Sequence, residues 1–145
     1  MHRSSGGRVT RVDAIHLTLA FLGDVDEGRL AVLRKLRTKG KRHVLRIDAA
    51  RYHKANGMVW VGPAKIPGPL SEMVASLAAF LKSNDFRTEE RPFAAHITLL
   101  RNAGVPPEIP ELPRIDWRVD EMVLVRSRLS PKGSSYEVLQ RYPLS

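Results

Sequence analysis

With 145 residues, 24 Lys and Arg against 15 Asp and Glu, and a formal net charge of +9, the chain is long enough for one domain with a real core. The charge favours phosphate-rich partners or an anionic membrane surface over acid-seeking ones. The absence of cysteine excludes a disulfide framework, a thiolate nucleophile and thiolate zinc sites, and suits a reducing cytoplasm. No apolar run reaches the roughly eighteen residues of a membrane span, and no apolar segment follows the basic residues of the opening "MHRSSGGRVTRVDA", so a soluble, unprocessed chain is expected.

Residues 1–11 carry too little apolar content to order themselves and are expected to be disordered. Ile15 to Leu22 then reads as a buried strand stopped by Gly23 and Asp24. In "DVDEGRLAVLRKLRTKG" acidic residues lead, Leu30, Leu33 and Leu36 recur at helical spacing, basic residues follow and Gly40 ends the pattern, which predicts an amphipathic helix. "HVLRIDA" and "GMVWVG" predict two short strands joined by a polar loop, "ARYHKAN". A second helix is expected over "GPLSEMVASLAAFLKSN", opened by Pro69. "RPFAAHITLLR" predicts another strand, and the proline-rich connector "VPPEIPELPRI" leads to "WRVDEMVLVRSRL" and "SYEVLQRYPL", a hairpin turned by "SPKGS". The two halves, each with a histidine-bearing strand and a helix, suggest an internal duplication within one domain, 1–145.

The polar residues inside the apolar runs need an explanation. "AIHLTLAFLG" and "AAHITLLRNA" share His, an apolar residue, Thr and Leu in the same order. Side chains alternate along a strand, so His16 and Thr18 share one face, and so do His96 and Thr98. A single strand histidine is most often a paired structural group, but two with the same threonine spacing point to a shared site. A neutral imidazole takes a proton from water, an imidazolium gives one to a leaving oxygen, and the ordinary pKa of about 6.5 admits both states near neutrality. Threonine hydroxyls on the same faces can donate to the non-bridging oxygens of a phosphate held between the histidines.

These residues resemble the two-histidine phosphoesterases, specifically the bacterial and archaeal RNA 2',3'-cyclic phosphodiesterases, historically called 2'-5' RNA ligases. "HLTLAFLG" with an acidic helix start, "MVWVG", "RPFAAHITLLR" and "VLVRSRLSPKGSSYEVLQRYPL" resemble that family in the expected order over about residues 12 to 145. The resemblance implies a bilobal α+β fold with two antiparallel sheets facing a central cleft, helices outside and one motif from each lobe. It implies metal-independent hydrolysis with no cofactor, acting on RNA or a nucleotide that ends in a 2',3'-cyclic phosphate.

Carried over by motif, His16 and His96 become the catalytic pair and Thr18 and Thr98 the phosphate-holding partners, with His96 activating water and His16 protonating the departing 3' oxygen. Arg101 matches a basic position after the second motif, where a guanidinium binds phosphate bidentately or is merely solvated. Arg126 and Arg128 share one strand face and match the family's "RSRL", either as RNA-backbone contacts or as rim charges. Trp60 is expected in the core, base stacking being the other reading. Tyr136 fits either a cleft hydroxyl or a packing group. His43 and His53 read as surface residues, and His2 as part of the disordered start.

Members of that family usually begin with a strand and a helix before the first motif, whereas only 15 residues precede His16 here. A reduced first lobe is therefore expected, with a strand edge that a swapped or dimeric arrangement can cover. A non-catalytic RNA- or nucleotide-binding module using the same cleft is the competing reading. A metallohydrolase is less attractive, since neither motif has an acidic ligand at the usual spacing.

Overall fold

The short alternating runs of the first half form strands, and their order sets the frame for the histidine motifs. The computed structural model describes residues 8–37, 40–88, 92–101, 114–131 and 133–145, and among these the chain is α+β with two α-helices and antiparallel sheets. The opening seven residues and most of the proline-rich connector lie outside the described residues. In chain order the elements are β1 (Arg8–Val9), a 3-10 turn (Val12–Ala14), α1 (Glu27–Arg34), β2 (His43–Ile47), β3 (Ala49–His53), β4 (Met58–Gly62), α2 (Gly68–Ser83), β5 (Ile97–Arg101), β6 (Ile115–Val119), β7 (Glu121–Ser130) and β8 (Gly133–Pro143). They form a four-stranded sheet in the order β1-β5-β4-β3 and two pairs, β2-β6 and β7-β8.

Two compact units result. The first comprises residues 1–18, 45–65 and 95–117 and holds the four-stranded sheet. One face of that sheet is apolar: Val59 and Leu100 are buried against Tyr52, and Val61 and Ile97 are buried beside them in register. Only the last part of "ARYHKAN", Lys54 to Asn56, is the loop that its polarity predicts, and Ala50 to His53 are strand. Ala49–His53 pairs with Met58–Gly62 along its whole length, because Tyr52 turns inward opposite Val59 while Arg51 and His53 turn to solvent, the alternation of a half-buried strand.

The second unit comprises residues 19–44, 66–94 and 118–145. Its core joins Leu30 and Leu33 of α1 to Leu81 of α2 and to Phe86, with Leu124 and Leu139 of the hairpin packed against them. Asp26 caps α1 by accepting from the Arg29 amide at 2.8 Å, and Glu27 and Arg34 match the helix dipole at its two ends. The helix stops at Arg34 rather than running on toward Gly40. Arg29 then reaches the end of α2, donating to the Asn84 carbonyl at 2.9 Å with its guanidinium 4.1 Å from the centre of the Phe86 ring. Buried Tyr142 closes the unit by donating its hydroxyl to the Leu33 carbonyl at 2.6 Å.

Candidate active site

The first histidine motif does not form the buried strand expected for Ile15 to Leu22. Ile15 is 42% and Phe21 69% exposed, and the segment touches the sheet through one antiparallel bridge, Leu17 to Ile97. The reason is local. The chain follows the free edge of β5 at Arg8 and Val9, leaves it through the 3-10 turn at Val12–Ala14 and returns for a single residue.

That bridge brings the two motifs together. Leu17 opposite Ile97 puts the flanking residues on the other face, and continuing the register by one residue each way sets His16 across from Thr98 and Thr18 across from His96. Opposed Cα atoms in an antiparallel pair are about 5 Å apart, so the four candidate side chains start from one small patch. All four belong to the first of the two compact units. The bridge joins the motif of one repeat to the strand of the other.

Three of the four side chains have a specific neighbour. His16 Nδ1 lies 2.7 Å from the Ala14 carbonyl, and since a carbonyl only accepts, Nδ1 carries the proton and donates. That bond fixes the orientation of the ring and assigns the proton to Nδ1, which makes Nε2 the nitrogen with the lone pair a base uses. The His96 ring stands 5.7 Å from that of Trp60, tilted by 52°. Thr98 Oγ1 donates to Met58 Sδ at 3.5 Å, a weak acceptor that a phosphate oxygen readily replaces. Trp60 is half-buried on the histidine face rather than a core residue, in register with Thr98.

Arg101 reaches this face through a bulge. Trp60 pairs with Thr98, but Val59 pairs with Leu100, leaving Leu99 as the extra residue on β5. Strict alternation from His96 through Thr98 would send Leu100 to the site and Arg101 to the core. The extra residue reverses that outcome: Leu100 is buried with Val59, and exposed Arg101 takes the side of His96 and Thr98.

Gly62 is a site-supporting residue that motif reading missed. A Cβ built on it would stand 2.4 Å from the Ala95 carbonyl oxygen, so only glycine admits the backbone immediately before His96. A glycine ending an alternating strand was the available signal.

Arg126 and Arg128 lie on β7 in the second unit, where they face Glu27 at 3.7 Å and Glu137 at 4.0 Å. Tyr136 is on β8, opposite Ser127. His53 is exposed as expected, whereas His43 is half-buried with its Nδ1 2.8 Å from the Lys41 carbonyl. Among the described residues no group of three or more His, Cys, Asp or Glu is arranged to hold a metal ion, and no helix is long and apolar enough to cross a membrane.

Residues 1–60 and 61–136 each match the family model described as LigT like Phosphoesterase, one match per histidine motif. The chain belongs to this family. It is 32% identical over 143 residues to an Escherichia coli protein named RNA 2',3'-cyclic phosphodiesterase, covering 96% of this chain and 81% of that protein. A Thermus thermophilus protein of the same name is 32% identical over 142 residues, covering 90% of this chain and 72% of the relative. The crystal structure of Escherichia coli LigT complexed with 3'-AMP superposes with a TM-score of 0.84 at 29% identity, over 97% of this chain and 83% of that one. The α+β architecture read from the LigT-like sequence pattern is thus shared with solved members of the family.

Proposed function

We propose that this protein hydrolyses RNA 2',3'-cyclic phosphate ends to 2'-phosphates, using its two histidines as base and acid and no metal. The observation that carries the reading is the Leu17 to Ile97 bridge, whose register brings the two His-x-Thr motifs side by side. His96 takes a proton from water as its oxygen attacks phosphorus. The bond from phosphorus to the 3' oxygen breaks, and His16 gives that oxygen its proton. This division of labour follows the family resemblance, and the His16 ring suits it, since the Nδ1 bond to the Ala14 carbonyl holds the imidazole in one orientation. Thr18 and Thr98 donate to the non-bridging oxygens, and the Arg101 guanidinium offsets the charge that builds on them. Arg126 and Arg128 each face a carboxylate, so the charge-offsetting role is given to Arg101. The relatives' names support the substrate, and the 3'-AMP complex of the Escherichia coli structure supports a nucleotide ligand.

The test is turnover of an RNA oligonucleotide with a 2',3'-cyclic end in the presence of a chelator. Conversion to a 2'-phosphate is expected, with His16→Ala and His96→Ala each losing about a thousandfold or more in kcat/KM. A 3'-phosphate product reverses the orientation, an active His96→Ala enzyme removes the two-imidazole mechanism, and binding without turnover reduces the protein to a nucleotide-binding module.

A further inference from the structure

The histidine face continues across the sheet beyond the two motifs. Thr98 on β5 faces Trp60 on β4, Trp60 faces Arg51 on β3, and in the next row His53 faces Met58. Directly opposed residues share a face, so Thr98, Trp60 and Arg51 form one row that spans about 10 Å at ordinary strand spacing. Arg51 is exposed and spends one donor on its neighbour, the Ala50 carbonyl at 2.9 Å, which leaves the rest of its guanidinium fork to solvent. His53 and Lys54 are exposed and have no ion-pair partner among the described residues. From Ala49 to Gly62, and again from Ala94 to Ala103, the sequence contains no Asp or Glu.

An aromatic ring followed by an unopposed cation, on strands that carry no acid, is the arrangement that holds single-stranded nucleic acid: a base lies against the ring and a backbone phosphate against the cation. The order also matches the substrate. A nucleotide whose cyclic phosphate sits at the histidines carries its next phosphate on its 5' side, and the row offers Trp60 and then Arg51 in that sequence. We propose that the β4-β3 half of this face is a subsite for the RNA chain upstream of the reacting end. Trp60 supports the terminal base, Arg51 binds the phosphate on its 5' side, and His53 and Lys54 extend the path. The substrate class is then a single-stranded RNA of two or more nucleotides rather than a free nucleoside cyclic phosphate. The inference rests on the phosphodiesterase reading, and its test keeps the two apart.

Initial rates are compared for a nucleoside 2',3'-cyclic phosphate and for a tetranucleotide with the same end. The wild-type enzyme is expected to favour the tetranucleotide. Arg51→Ala should lower the ratio of tetranucleotide to mononucleotide kcat/KM about tenfold, as for loss of one charge-assisted phosphate contact. Arg51→Glu should lower it further and Arg51→Lys should keep most of it. The slope of log kcat/KM against log salt for the tetranucleotide should flatten by about 0.7 in Arg51→Ala, one released counterion on a single strand. An unchanged ratio in Arg51→Ala and Arg51→Glu overturns the subsite. If neither substrate turns over, the hydrolysis reading fails on its own. Fluorescence anisotropy of a labelled tetranucleotide ending in a 3'-phosphate then decides the subsite: weaker binding by Arg51→Glu upholds it, and equal binding removes it.

Discussion

The four-stranded sheet and the β7-β8 hairpin both carry arginines on exposed strands, and they use them in opposite ways. On the hairpin, Arg126 faces Glu27, Arg128 faces Glu137 and Arg141 pairs with Glu121. On the sheet, Arg51 and Arg101 have no carboxylate partner among the described residues, and the strands around them contain no acid. A net charge of +9 belongs to the whole chain, but attraction for a phosphate belongs to cations whose charge is not already answered. Counting arginines cannot tell these regions apart; the carboxylates beside them can.

The sharpest contrast is between Arg101→Ala and Arg128→Ala. The first is expected to cost about a hundredfold in kcat/KM, the scale of losing one charge-stabilising donor, and the second less than about twofold. Similar losses in the two variants, measured on one cyclic-phosphate substrate, would show that pairing does not distinguish the regions. A smaller effect tests the sheet's backbone rather than its charge. Gly62→Ala should lower kcat/KM about tenfold and stability by about 1–3 kcal/mol, because the added methyl displaces the chain at Ala95. Full activity with reduced stability would separate the glycine's packing role from the placement of His96.

The mildest change lies in the hairpin unit. Burial, partly opposed by the charge of Arg34, raises the Tyr142 phenol above its ordinary value of about 10. The unfolded chain therefore gives up this proton first, so Tyr142 contributes its full stability below about pH 10 and loses it as the pH climbs toward the folded value. Tyr142→Phe should cost about 1 kcal/mol at neutral pH, flatten the alkaline decline in Tm and leave kcat/KM unchanged. An unaltered alkaline decline would assign it to other groups.

The sequence carried the helices, the final hairpin and the paired motifs plainly, because leucine spacing, turn residues and repeated His-x-Thr are local signals. What it hid depends on partners distant in the chain. The first four residues of "ARYHKAN" look polar because one side of β3 meets solvent, and only pairing with β4 identifies them as a strand. "AIHLTLAFLG" is apolar enough for a strand, yet makes one bridge because a single residue of β5 is there to receive it. Trp60 resembled a core aromatic because alternation gives no sign of which face is buried, and its neighbours Val59 and Val61 take the inward side. The carboxylate partners of Arg126 and Arg128 were equally hidden, since these ion pairs join residues on different strands and helices.

The surplus residue at Leu99 gives β5 a property that no substitution could supply. Up to Thr98 the strand's reading frame points odd-numbered residues inward, and from Leu100 onward it points even-numbered residues inward. One strand therefore delivers an imidazole, a hydroxyl and a guanidinium to the same side at uneven intervals of two and then three residues. Ligand groups on a phosphate are not spaced like a pleat, and a local miscount in the chain is a compact way for a periodic scaffold to match an aperiodic target.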